Sequence, residues 1–116
     1  MSNSINKVII SGFLGNDAEV MGTAGKVTRA SIALAESYKD KDGVYQNNVE
    51  WIDLVCFNKL GELFVKHAKK GVYMNIEGKL KVSNYTDKDG IKQHRVQVEV
   101  EKFDVLKIQK ADKVQK

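Results

Sequence analysis

The sequence predicts an all-β protein, a five-stranded barrel with one short helix between its third and fourth strands. Three observations predict it. Apolar and polar residues alternate with period two through most of the chain. That alternation is interrupted once, by a stretch of helical period between Leu60 and Ala68. Two Asp-Gly dipeptides, Asp42-Gly43 and Asp89-Gly90, carry the residues that tight hairpin turns demand.

The first strand is read over Asn6 to Leu14, and glycines at Gly12 and Gly15 mark its end. A loop follows through Asn16-Asp17 and Gly22-Thr23-Ala24-Gly25. The second strand, Val27 to Ala35, sets Thr28, Ala30, Ile32 and Leu34 on one face and Arg29, Ser31 and Ala33 on the other. The charged stretch Tyr38 to Gly43 turns the chain into a third strand, Asn48 to Phe57. Leu60, Leu63, Phe64, His67 and Ala68 then form one stripe of a short helix. Lys66, Lys69 and Lys70 crowd its last turn, where cations suit the helix dipole, and Gly71 stops it. The fourth strand places Val72, Met74, Ile76, Leu80 and Val82 on one face, with Gly78 marking a bulge or bend. The fifth places His94, Val96, Val98 and Val100 opposite Arg95, Gln97, Glu99 and Glu101. Phe103 and Val105 break that parity, which predicts a bulge near Lys102.

Three strands, a helix and two strands is the order of a Greek-key barrel of the OB type, with the helix closing one end. The reading assigns residues 1–106 to this single domain and 107–116 to a basic, flexible C-terminal segment. No internal repeat or second domain is present in this reading.

The composition is that of a folded protein, with 116 residues, 42% hydrophobic and 29% charged. No run approaches the roughly 18 apolar residues of a membrane span, and residues 1–7 lack the apolar centre of a signal peptide. Cys56 is the one cysteine, which excludes an intramolecular disulfide and suits a reducing cytoplasm. The expected location is cytoplasmic. The net charge of +4 is concentrated at the end of the chain. From Lys102 onward five lysines face two aspartates, leaving the body close to neutral. An anionic partner therefore needs charge gathered on one surface.

The third strand carries the functional signal. Its even residues Ile52, Leu54 and Cys56 read as core. Its odd residues face outward by the same alternation, yet they are Val49, Trp51, Asp53, Val55 and Phe57. Flat rings on an outer sheet face can stack on bases, worth about 1–3 kcal/mol per base with little regard to sequence. Tyr38 and Tyr85 stand at the bases of the two hairpins and extend the set to four rings. Lysines are interleaved with them, among them Lys39, Lys41, Lys59, Lys79, Lys81, Lys88 and Lys92. Cations spaced among rings can follow a phosphate backbone while the bases stack. For Trp51 alone, burial in a subunit contact explains the residue equally well, and any single lysine can be a solvated edge charge.

These residues resemble the bacterial single-stranded DNA-binding proteins over about residues 4 to 106. The resemblance is carried by Ile5-Asn6-Lys7-Val8-Ile9, by Gly12 to Val20, and by Ser31-Ile32-Ala33-Leu34-Ala35. It continues through Glu50 to Leu60, Lys69-Lys70-Gly71 and Ile76-Glu77-Gly78-Lys79-Leu80. It implies that Trp51 and Phe57 are stacking residues and that Tyr38 and Tyr85 stand where family members often carry tryptophan. It implies phosphate contacts from Lys7, Lys59, Lys69, Lys70 and Lys81. It also implies a homotetramer paired through first-strand edges, and protection of single strands in replication, repair and recombination. Four departures matter, the first being that tyrosine for tryptophan at Tyr38 and Tyr85 reduces stacking area. Asp53 replaces a residue that is often basic beside Trp51. Ala18 stands where proline is usual. The acidic tail tip that recruits replication and repair proteins is missing, so those partners are not expected; a cut form and a naturally short form remain equally open.

No enzyme is expected. His67 and His94 lack neighbours at metal-ligand spacing. Gly25-Lys26 lacks the earlier glycine and the Ser or Thr of a phosphate-binding loop. Cys56 reads as an inert core thiol. No cofactor or metal is implied. An accessory dimeric OB protein and an OB module with its aromatic face against a protein partner remain as alternatives, and the residues do not separate DNA from RNA.

Overall fold

The computed structural model describes residues 4–21 and 27–107. The loop read at Gly22 to Gly25, Lys26, and the basic segment past Lys107 lie outside the described residues. The elements are β1 (Val8–Leu14), β2 (Glu19–Met21), β3 (Val27–Lys39), β4 (Tyr45–Phe57), α1 (Asn58–His67), β5 (Tyr73–Thr86) and β6 (Lys92–Lys107). The sheet order is β1-β5-β6-β4-β3-β2, and β1 also pairs with β3, which closes five strands into a barrel.

The helix lies between β4 and β5, one position later than the sequence count, because β2 is an additional strand in the stretch read as loop. It pairs with β3 through Glu19↔Arg29, Val20↔Thr28 and Met21↔Val27. All three of its residues are exposed, so no buried face imposes an alternation there.

Two antiparallel arms make up most of the barrel, and β1 bridges them on one side. β3 and β4 pair without interruption from Val27↔Phe57 to Lys39↔Tyr45. β5 and β6 pair from Tyr73↔Lys107 to Thr86↔Lys92. The arms meet along a parallel β4–β6 seam of two rungs, Leu54↔Val98 and Val55↔Glu99. The expected bulge is found: Glu77 pairs with Lys102 and Gly78 with Val100, so Glu101 is the extra residue. Gly78 is needed there, because a Cβ would overlap the Glu99 carbonyl.

Ile32, Leu54, Met74 and Ile76 are fully buried inside the barrel. Phe64 of α1 plugs one end and meets Phe103 edge-on, with ring centroids 5.1 Å apart. The helix face is rotated from the one the sequence predicts. Gly61, Phe64 and Ala68 are buried, while Leu63 and His67 are exposed. Gly61 causes this: a Cβ there would come within 2.8 Å of the Thr28 hydroxyl, so the helix approaches β3 most closely through a residue with no side chain. At the opposite end, the arms project past the core. Leu80, Val82 and Val96 keep the parity of core residues yet remain exposed. No helix among the described residues is long and apolar enough to cross a membrane.

Candidate nucleic-acid interface

Trp51 is held by small neighbours. It lies opposite Ala33 on β3. Gly15, just past β1, sits against its ring, and a Cβ at that position would overlap the indole. The Gly15 amide donates to the Ser31 carbonyl at 2.9 Å. The Asn16 side-chain oxygen accepts from the Ser31 amide and hydroxyl, both at 3.0 Å. These bonds fix a floor beneath the ring, and Trp51 remains 59% exposed. A large, flat ring held on one side and open on the other is a stacking platform.

Phe57 ends β4 and is half-buried. It serves as the N-cap residue of α1 in extended conformation, and Asn58 follows at φ 56. Asn tolerates this left-handed geometry better than most residues, and the kink turns the chain from strand to helix immediately after the ring. The Lys81 ammonium lies 5.8 Å from the Phe57 ring centroid, within cation–π range. Lys59 is exposed in the first turn of α1.

The two tyrosines stand on the arms, each two residues before a turn aspartate. Their turns are the same device. Asp40-Lys41-Asp42-Gly43-Val44-Tyr45-Gln46 recurs as Asp87-Lys88-Asp89-Gly90-Ile91-Lys92-Gln93, a short internal repeat that the sequence reading missed. Asp40 Oδ1 accepts from the amides of Asp42 and Val44, and its Oδ2 from Gln46 Nε2 at 2.9 Å. Asp87 accepts from Asp89, Ile91 and Gln93 in the same pattern. Gly43 and Gly90 both sit at φ 80. Hydrogen bonds from Gln46, then Val44, hold the Asp40 carboxyl below its ordinary value. Those from Ile91, then Gln93, do so for Asp87.

The tyrosines nevertheless do not share a face. Tyr85 has the outward parity of Lys81 and pairs with Gln93. Tyr38 has the parity of Ile32 and Leu34 and pairs with Gln46. Trp51, Phe57, Lys81 and Tyr85 thus lie on the outer alternation, and Tyr38, also exposed, lies on the other side of its arm. Val55, expected outside, is buried, since it sits between Arg29 and Glu99 on the neighbouring strands.

The remaining lysines are set by other elements. Lys7 forms an ion pair with Glu77 at 3.3 Å. Lys69 and Lys70 follow α1, where the Lys70 amide donates to Asp17 Oδ1 at 2.8 Å. No cation–π contact among the described residues joins these three to the rings. Burial pushes the Cys56 thiol up to about 11, which keeps it protonated and unreactive.

Two cations escaped the sequence reading. Arg29 and Arg95 are the chain's two arginines, and both line one groove with Asp53 and Gln97, beside Trp51 on the outer face. Their outward parity on the second and fifth predicted strands was readable. Their convergence was not, because it depends on the non-local β4–β6 seam.

The profile of the Single-strand binding protein family matches residues 5–106. A single-stranded DNA-binding protein of Xanthomonas axonopodis pv. citri is 38% identical over 108 residues, covering 91% of this chain and 60% of the relative. One from Xylella fastidiosa is 36% identical over 91% of this chain and 66% of its own length. The chain thus spans about two thirds or less of the length of these curated relatives. Among solved structures, a Plasmodium falciparum SSB complex with ssDNA superposes with a TM-score of 0.78 at 20% identity, over 94% of this chain and 99% of that one. A small single-stranded DNA-binding protein from Streptomyces coelicolor superposes with a TM-score of 0.65 at 14% identity, over 90% and 95%. Both share the fold.

Proposed function

The chain belongs to the Single-strand binding protein family, and from that premise we propose that it binds single-stranded DNA, without catalysis and with little regard to sequence, and protects it in replication, repair and recombination. The observation that carries this reading is the Trp51 ring, seated on Gly15 and open to solvent. Bases stack on Trp51, Phe57 and Tyr85, and Tyr38, on the other side of its arm, contributes less. Lys81 and Lys59 accompany the rings along the phosphates, and Lys7, Lys69 and Lys70 add outlying charge. Duplex DNA has its bases already stacked and paired, so exposed rings favour the single strand.

Self-association is part of the same reading. β1 pairs with β5 from Val8 to Phe13 and with β3 only at Phe13 and Leu14, leaving one edge of residues 8–12 without a strand partner among the described residues. A free edge beside the exposed Ile9 supports pairing with a second copy, and two such pairs joined through a second face make the homotetramer of this reading. Sedimentation equilibrium is expected to return four chains per particle; a dimer would favour the accessory-protein alternative.

Titration with oligo(dT) and with duplex DNA, followed by tryptophan fluorescence, tests the binding face. Trp51 is the one tryptophan, so the signal reports a single position. Strong quenching by oligo(dT), a weak response to duplex and weakening with salt are expected. Trp51→Ala is expected to weaken binding by about 1–3 kcal/mol. Unchanged affinity in that variant would remove the face from the proposal.

A further inference from the structure

The β4–β6 ladder ends at Leu54↔Val98, and beyond this rung the two arms part. Asp53 and Gln97 are the next residues on the two strands, with Ser31 and Lys81 as their partners on the outer strands. The notch between the arms has a volume of about 240 Å³ and is lined by Arg29, Asp53, Arg95 and Gln97. An adjoining, largely apolar cavity between the arms is lined by Trp51 as well as by Asp53, Gln97, Leu80 and Val96.

The polar groups of this notch lack protein partners. Gln97 points outward by alternation yet is only 6% exposed. Its side-chain amide makes no hydrogen bond among the described residues. Asp53 and the two guanidinium groups likewise form no hydrogen bond or ion pair there; the ion pair found among the described residues is Lys7–Glu77. A buried amide without a partner is costly and calls for a ligand or ordered water. Here it adjoins one carboxylate and two guanidinium forks, so the notch offers both acceptors and donors.

A phosphate satisfies the arginines but is repelled by Asp53. A base with donors on one edge and acceptors on another satisfies both. Guanine presents two adjacent donors, N1–H and the N2 amino group, which a carboxylate can accept together. It also presents O6 and N7, the pair to which arginine donates in bidentate fashion. Thymine offers a single donor between two carbonyls and leaves the carboxylate half-used. We propose that the notch is a base-reading pocket that favours guanine in the nucleotide next to the one stacked on Trp51. Asp53 accepts from N1–H and N2–H, Arg29 or Arg95 donates to O6 and N7, and Gln97 completes the edge. This rests on the reading of the Trp51 face as a single-strand site, and it adds a preference to an otherwise sequence-tolerant surface.

The test compares an all-dT oligonucleotide with oligonucleotides of the same length carrying isolated dG, dA or dC at fixed intervals, in competition against a labelled dT strand. The isolated dG series is expected to bind about ten-fold tighter than all-dT, the size of one good bidentate contact. Asp53→Asn is expected to bring that ratio close to one while Trp51 quenching by all-dT persists. Arg29→Lys and Arg95→Lys combined keep the charge and remove both forks, so the double variant should lower the dG ratio and leave the salt slope unchanged. Equal affinity for all four series, a dC series that matches dG, or a dG ratio that survives Asp53→Asn would each overturn the pocket and leave single-strand binding standing. Absence of quenching by any oligonucleotide would overturn the pocket together with the reading beneath it.

Discussion

The two hairpin arms are built on the same turn and present their tyrosines to opposite sides. Each turn has its aspartate, its glycine at φ 80 and its glutamine returning to the carboxylate. Each tyrosine precedes the aspartate by two residues and pairs with that glutamine. Yet Tyr85 continues the outer alternation of Lys81, while Tyr38 continues the inner alternation of Ile32 and Leu34. A turn determines position along an arm. The face is determined by how many residues separate the turn from the buried rungs, because side chains alternate strictly along a strand. The arms also differ in charge. Lys79, Lys81 and Arg95, against Glu99, line the outer face of the β5–β6 arm, whereas past Arg29 Lys39 and Asp53 balance on that of the β3–β4 arm.

The largest expected difference is in stacking. Tyr85→Ala should weaken oligo(dT) binding by about 1–3 kcal/mol, with Tyr38→Ala clearly below it, as read by fluorescence titration. Equal losses would mean that the strand wraps around the β3–β4 arm and touches both of its sides. A smaller effect is expected from charge. Lys81→Ala should flatten the dependence of log affinity on log salt by about 0.7, while Lys39→Ala, whose ammonium lies 5.3 Å from the Tyr45 ring centroid, should leave the slope nearly unchanged. Matching slopes in the two variants would make the arms electrostatically equivalent.

The smallest effect tests the likeness of the turns. Both carboxyls lie below the ordinary 3.8, so the charged form is favoured in the folded state. Their stabilising contribution is present above 3.8 and is lost as pH falls through the lowered folded values. In an acid titration followed by NMR, the amides of Val44 and Ile91 should both report midpoints below 3.8. A midpoint at or above that value in one arm would show that its aspartate does not hold the turn in solution.

The parts of the fold that one buried face governs were legible in the sequence. On β3, Thr28, Ala30 and Ile32 are buried as their alternation predicts. The bulge at Glu101 was announced by the broken parity of Phe103. Alternation reports direction but not depth, which is why Leu80 and Val82 read as core and are exposed where the arms outrun the barrel. The helix was read from its apolar side chains, and Gly61, the residue that brings it closest to β3, has none. Trp51 and Phe57 were legible because large rings at outward positions need a reason. Arg29, Arg95 and Gln97 were not, since they come together only where β4 and β6 meet.

That meeting also bears on the order of assembly. Each arm closes on itself through a turn whose residues are neighbours in sequence, so each can form early and independently. The two rungs between β4 and β6 join residues forty-four positions apart and need both arms in place. The arms are therefore quickly made and joined late, by this seam on one side and by β1 between β3 and β5 on the other, and the notch beside Asp53 and Gln97 does not exist until the seam is made.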